Sequence, residues 1–255
     1  MALPTAERAA IEAYLRRDPY LHVYELGDLD PREAEHATWI ANEPVDAVVL
    51  LYRGLASPTI VALAHDDPAA LHALLAASAQ ALPPRFHAHL TPGLEAALGP
   101  HYHAQLIGHH LKMGLGAPVA EQVDDAIVRI TPQHAAQAVA FYAASYPTSY
   151  FEPVSLERGP YVAIRDAHGI AAIAGVHVYS PTLRVASLGN IATRPDARGR
   201  GYARRVTAAL CRLLQAEVDV LGLNVQADNA AAIACYRAVG FDVRHSYDEW
   251  LVTRR

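Results

Sequence analysis

Lysine is almost missing from this chain: among its 255 residues Lys112 is the only one, and cysteine, methionine and tryptophan occur twice each. Two thiols, Cys211 and Cys235, make no disulfide framework in a chain of this length, so a reducing compartment is expected. No uninterrupted apolar run approaches the ~20 residues that a membrane-spanning helix needs. The opening, MALPTAERAAIEAYLRRDPY, carries charges by its second turn and lacks the apolar core of a signal peptide, which together point to the cytoplasm and away from a membrane. Positive charge is also in deficit, with a formal net charge of -5 and a pI near 6.3. That balance excludes the strongly basic face of a nucleic-acid protein. The near-absence of lysine reads as codon usage rather than chemistry.

What is present is core. Hydrophobic residues make up 52% and charged residues 18%, a globular composition. Apolar periodicity predicts a helix over 5–17, with Ile11, Tyr14 and Leu15 on one stripe. Two apolar runs, 45–54 and 57–66, read as a hairpin. A helix over 67–82, opened by Asp67 and Pro68, comes next. Strands at 85–90 and 101–115 flank a small helix at 91–99. Periodicity then lapses, which places a linker at 116–125 between a first domain, 1–115, and a second, 126–255. The second half reads as a strand at 126–132, a helix at 132–147 and strands at 161–169, 170–180 and 184–195. A long helix to about 216, a buried strand at 218–225, a helix over 229–240 and a last strand or pair follow. The class is α/β (α+β), and the order of elements in the first half recurs in the second.

The chemistry gathers at RPDARGRGYARRVTAAL, residues 194–210. Two glycines weaken a helix entrance by about 1 kcal/mol each relative to alanine, so a purely structural start would use Ser, Asp or Thr. An anion site gives them a purpose. The first-turn amides have no internal partners, the helix dipole adds about half a positive charge, and residues without Cβ admit phosphate oxygens to the backbone. Gly199 and Gly201 supply that access, and Arg198 and Arg200 supply charge and directed donors. The spacing is neither the Walker pattern nor the dinucleotide fingerprint. An Arg-Gly turn with solvated arginines remains the plain reading of this stretch taken alone. Downstream, in LNVQADNAAAIACYRAVGF, Asn229 and Tyr236 lie about two helical turns apart and share a face. Taken singly, the first is an ordinary helix cap and the second a core tyrosine.

Together, Arg198-Gly199-Arg200-Gly201-Tyr202-Ala203 and the run from Asn229 to Phe241 resemble the two motifs of the GNAT superfamily, the acyl-CoA-dependent N-acyltransferases. The resemblance covers roughly 126–255, and AGVHVYS with GNIATRPDARGRGYA look most like the glycine N-acyltransferase-like branch, whose first half is a degenerate copy of the fold. It implies a tandem fold with a mixed, mostly antiparallel sheet flanked by helices. It also implies acetyl-CoA as cosubstrate, the pantetheine arm paired along Ile191, Ala192 and Thr193, and the pyrophosphate on the amides of Gly199 to Ala203. Asn229 would bind the arm farther along and Tyr236 would protonate the departing thiolate. The acceptor expected is a primary amine of a small molecule or amino acid.

A base for that amine is harder to assign. Relatives often use a strand glutamate, whereas strands 170–180 and 184–193 contain none. His177 suits a base near pH 7, with a hydrogen-bonded strand histidine as its plain reading. Glu152 is the other candidate. The missing glutamate keeps open a CoA-binding sensor or regulatory module without turnover. The first half has no glycine at the corresponding helix entrance, where Asp66 and Asp67 would repel a pyrophosphate, so no CoA is expected there. His101, His103, His109 and His110 read as a surface strand, and no metal site is expected.

Overall fold

In the computed structural model of the protein, residues 5–120, 124–149 and 151–255 are described. Two compact units emerge. One comprises Met1–Lys112, Val225–Asp228 and Val243–Arg255, and the other Met113–Asn224 and Asn229–Asp242. This is not the linear cut expected from composition: the expected linker groups with the second unit, and the chain from Val243 onward groups with the first. Residues 121–123 of that linker lie outside the described residues.

The first part of the chain forms α1 (Thr5–Leu15), α2 (Val23–Asp28), β1 (Ala37–Ala41), β2 (Val48–Tyr52), β3 (Thr59–Ala62), α3 (Ala69–Ser78), β4 (Arg85–Leu90) and β5 (Tyr102–Leu115). The remainder forms β6 (Ile127–Ile130), α4 (Ala135–Ser145), α5 (Ser155–Arg158), β7 (Tyr161–Asp166), β8 (Gly169–Ser180) and β9 (Val185–Thr193). α6 (Tyr202–Leu214), β10 (Val220–Gln226), α7 (Ala230–Arg237) and β11 (Phe241–Arg254) complete it. β1, α2 and α5 have no counterpart in the periodicity, and the small helix expected at 91–99 is a 3-10 turn over Leu94–Leu98. Among the described residues no helix is long and apolar enough to cross a membrane.

In the first unit β1, β2 and β3 run antiparallel, β3 and β4 run parallel, and β11 pairs antiparallel with β4 from Asp248↔Leu90 to Thr253↔Arg85. β2 and β3 are buried along their whole length, as their unbroken apolar runs require. α3 carries the chain from β3 to the parallel β4 and drops Leu71 and Leu75 onto Phe86, Leu90, Tyr102 and Val252. Fully burying each such leucine contributes about 2 kcal/mol.

The second unit repeats this plan: β6, β7, β8 and β9 are antiparallel neighbours, and β10 lies parallel to β9 after the crossover through α6. α6 buries Val206, Thr207, Leu210, Cys211 and Leu214, a stripe at three- and four-residue spacing. Thr207 satisfies its hydroxyl on the Ala203 carbonyl at 2.8 Å. A second cluster joins α4 to the sheet through Phe141, Tyr142, Tyr161, Ile173 and Ala192. The result is a mixed α/β fold in which a mostly antiparallel sheet is flanked by helices.

Candidate active site

After β9 the chain turns through Pro195–Ala197 and reaches Gly201 as the capping residue of α6. Gly199 and Gly201 have φ of 76° and 75°, the left-handed region in which side chains with a Cβ are strained. A Cβ built on either would meet nothing within 4 Å, so the backbone there faces open space. No side chain caps the helix, and its first backbone bond runs from the Arg205 amide to the Gly201 carbonyl at 3.2 Å. The amides before Arg205 are therefore left without helical partners. Arg198 and Arg200 are exposed beside them, with long bonds to the Thr193 and Asp196 carbonyls at 3.4 and 3.3 Å. Two neighbouring arginines are committed to structure. Arg205 makes paired 2.7 Å bonds to Asp124, and Arg194 clamps Asp166 and Asp196. The Arg194 bond holds the Asp166 carboxyl down at about 2. The helix entrance is thus uncapped, open and flanked by exposed positive charge, an arrangement that can accept an anion.

Strand pairing leads into it. β10 follows β9 from Val220↔Val185 to Leu223↔Leu188, and pairing stops there. The last five residues of β9, Gly189–Thr193, keep β8 on one side and have no strand on the other among the described residues. Ile191, Ala192 and Thr193 thus occupy an open strand edge, and Thr193 keeps a buried hydroxyl without a hydrogen-bond partner.

On α7, Asn229 is the helix cap, its Oδ1 accepting from the Ala232 amide at 3.1 Å. Tyr236 is half-buried, its ring centroid 6.4 Å from that of Phe241. Burial, with smaller contributions from Cys235 and Tyr146, raises its pKa above the usual tyrosine value. The hydroxyl stays protonated at neutral pH and can donate. Glu152 is exposed.

His177 occupies a break in strand register. Val176 pairs with Leu188 and Val178 with Ser187, which leaves His177 as an extra residue in β8. Its imidazole lies over Gly189, where a Cβ would come within 2.2 Å of the ring. The side chain keeps solvent contact although protein crowds it enough to lower its pKa by burial, with a bond to Asn190 opposing the shift.

Sequence reasoning missed Asn190 and the two tyrosines around it. Asn190 is buried at φ 53°, its Nδ2 donating to the Tyr161 hydroxyl at 2.9 Å and its carbonyl accepting from the Tyr142 hydroxyl at 2.5 Å. The signal was available: asparagine is depleted inside strands, and it stands here next to glycine.

The first unit departs from expectation in its histidines and its lysine. His110, expected on a surface strand, is buried, with Nε2 3.4 Å from Glu249 and its ring stacked on Tyr247. His109 is exposed and bonds Asp248 at 2.6 Å. Lys112, assigned to codon usage, is buried on β5 with Nζ 5.2 and 5.5 Å from the Tyr24 and Tyr247 rings. Burial lowers its pKa, and Glu25 opposes the shift. Among the described residues no group of three His, Cys, Asp or Glu side chains could hold a metal ion.

Residues 129–241 match the acetyltransferase (GNAT) family, a stretch that contains the open strand edge, the glycine entrance and Tyr236. Solved structures extend the likeness to the rest of the chain. A protein assigned to the GNAT acetyltransferases of Novosphingobium aromaticivorans is 21% identical, with a TM-score of 0.68 over 93% of this chain and 99% of that one. An acetyltransferase from the GNAT family of Colwellia psychrerythraea is 12% identical, with a TM-score of 0.59 over 99% and 98% of the two chains. A tandem GNAT protein from the clavulanic acid biosynthesis pathway is 17% identical, with a TM-score of 0.60 over 100% and 97%. At these identities the likeness is one of fold. No curated protein matches the chain.

Proposed function

We propose that the second unit transfers an acyl group, acetyl in the first instance, from acyl-CoA to the primary amine of a small molecule or amino acid by direct attack. The observation that carries this reading is the unpaired end of β9 running straight into the uncapped, glycine-lined entrance of α6. An extended amide-bearing arm can pair with Ile191, Ala192 and Thr193 as an added strand does. Amides from Gly199 to Ala203, with the Arg198 and Arg200 guanidiniums, then suit its pyrophosphate. Asn229 would contact the arm from the start of α7.

The acceptor nitrogen forms the new C–N bond while the C–S bond breaks. His177 takes the proton that the nitrogen gives up, and Tyr236 protonates the thiolate and is reprotonated from solvent. The net exchange is amine plus thioester for amide plus thiol. The first unit we assign to the degenerate half of the glycine N-acyltransferase-like branch, acting without CoA of its own. The absence of any carboxylate on β8 and β9 favours a second reading, a CoA-responsive regulator without turnover. Incubating the protein with acetyl-CoA and a panel of amines and amino acids, with thiol release as readout, decides between them. Release that depends on one acceptor class supports the enzyme. Acetyl-CoA binding without release on any amine supports the regulator.

A further inference from the structure

Four buried side-chain oxygens of the second unit have no hydrogen-bond partner among the described residues: Ser145 Oγ, Ser187 Oγ, Thr193 Oγ1 and Asn224 Oδ1. Three of them lie on β9 and β10, the strands that part after Leu223↔Leu188. A buried acceptor without a donor is destabilising, so each of these oxygens asks for a donor from outside the fold. Strand register sets two of them together. Gly222 of β10 is level with Ser187 of β9, and continuing the register one step past the last pair sets Asn224 level with Gly189. Side chains return to one face every second residue, so Ser187, Gly189, Gly222 and Asn224 share a face. It is the face that α4 covers: Gly189 pairs with Gly175, where a Cβ would strike the Tyr161 ring, and Tyr161 packs with α4.

Asn224 is the half-buried member of this set, and it stands where the two strands have separated. Its oxygen is uncharged, and β8, β9 and β10 carry no carboxylate. A carboxylate would hold an amine as the ammonium, which cannot attack. A neutral amide oxygen takes an N–H and leaves the nitrogen lone pair available. The N–H it can hold throughout acyl transfer is the one that stays on nitrogen. A primary amine forms the C–N bond, gives up one proton as the C–S bond breaks, and keeps one N–H in the product amide. A secondary amine gives up the only one it has.

We infer that Asn224 is a specificity-determining residue whose Oδ1 accepts the N–H that the acceptor retains, so that the site selects primary over secondary amines. The inference rests on the acyl-transfer reading and adds to it the group that enforces a primary acceptor.

The test uses the full chain with acetyl-CoA and two acceptors: a primary amine that the wild type accepts in thiol release, and the N-methyl derivative of that amine. The wild type should favour the primary amine by about 10–10²-fold in kcat/KM, because the N-methyl compound leaves Oδ1 without its donor. Asn224→Leu, close to asparagine in shape, should lose about that factor on the primary amine and little on the other. The preference then collapses while acetyl-CoA affinity, measured by calorimetry, is kept. Asn224→Asp still accepts an N–H and should retain the preference. Circular dichroism checks each fold, and Asn224→Ala gives the same comparison where leucine disturbs the sheet. A preference that survives the loss of the oxygen overturns the inference, as does a loss shared equally by both amines or a fall in acetyl-CoA affinity. A wild type that releases no thiol with any amine sinks the acyl-transfer reading and the acceptor role together. That outcome is distinct from an active wild type whose preference ignores position 224.

Discussion

The junctions β3–α3 and β9–α6 share one backbone plan, a strand feeding a crossover helix before a parallel neighbour, yet they treat a negative charge in opposite ways. At α3 the chain reads LAHDDP. Pro68 holds the capping position, and the Asp67 carboxylate accepts from the Ala69 amide at 3.0 Å. A carboxylate already stands where a phosphate would sit. At α6 it reads RPDARGRG, the cap is a left-handed glycine without a side chain, and two exposed guanidiniums flank it. The difference teaches that the anion site proposed at α6 would not be a property of the crossover topology. A handful of residues between strand and helix creates or abolishes it.

The largest expected effect lies at the chemistry proposed for the second unit. Tyr236→Phe keeps the ring's packing and loses the donor, so turnover should fall by roughly 10²–10⁴-fold with acetyl-CoA affinity unchanged. Full activity in this variant would return Tyr236 to the core and leave water or Cys235 as the proton source. Next comes the junction itself. Gly201→Glu places a carboxylate where α3 already has one, and calorimetry should show acetyl-CoA binding weakened by about 10²-fold or more. Circular dichroism guards against misfolding, because a left-handed non-glycine residue costs about 1–2 kcal/mol. Asp67→Asn, the reciprocal change at α3, should leave affinity as it was.

A third contrast concerns acid. In the first unit burial pushes the His89 pKa down to about 4, with Glu249 opposing the shift. The fold therefore keeps His89 neutral, whereas the unfolded chain takes up a proton below about 6.5. Stability should fall as pH drops from about 6.5 toward 4 and level off below that, by up to about 3 kcal/mol. Denaturant melts of wild type and His89→Gln check it, with the slope reduced in the variant. The smallest effects belong to the flanking charges. Arg198→Ala and Arg200→Ala should each weaken acetyl-CoA binding by about 3–10-fold, and less at high salt because both are exposed.

Much of the second unit was legible before the structure. Apart from α5, the helices and strands from β6 to α7 follow their apolar periods, and the two glycines of α6 stand out because nothing in a plain helix start asks for them. The register of β8 and β9 was not legible, since a bulge leaves the apolar alternation nearly intact and shows only when the partner strand is placed. The grouping of Val243–Arg255 with the first unit was hidden for a related reason: sequence gives a strand's period but not its neighbour. Lys112 misled by its type. A lysine on a half-polar strand looks solvated until Tyr24 and Tyr247 are seen against its ammonium. Asn229 shows the limit from the other side, since the cap it forms is real whether or not a ligand also uses it.

The most direct test is a crystal structure of the full chain with acetyl-CoA. The account predicts the pyrophosphate within hydrogen-bond distance of the amides between Gly199 and Ala203, the arm alongside Ile191–Thr193 and the sulfur next to the Tyr236 hydroxyl. A pyrophosphate at the α3 entrance, or an arm that leaves the open edge of β9 untouched, would contradict it.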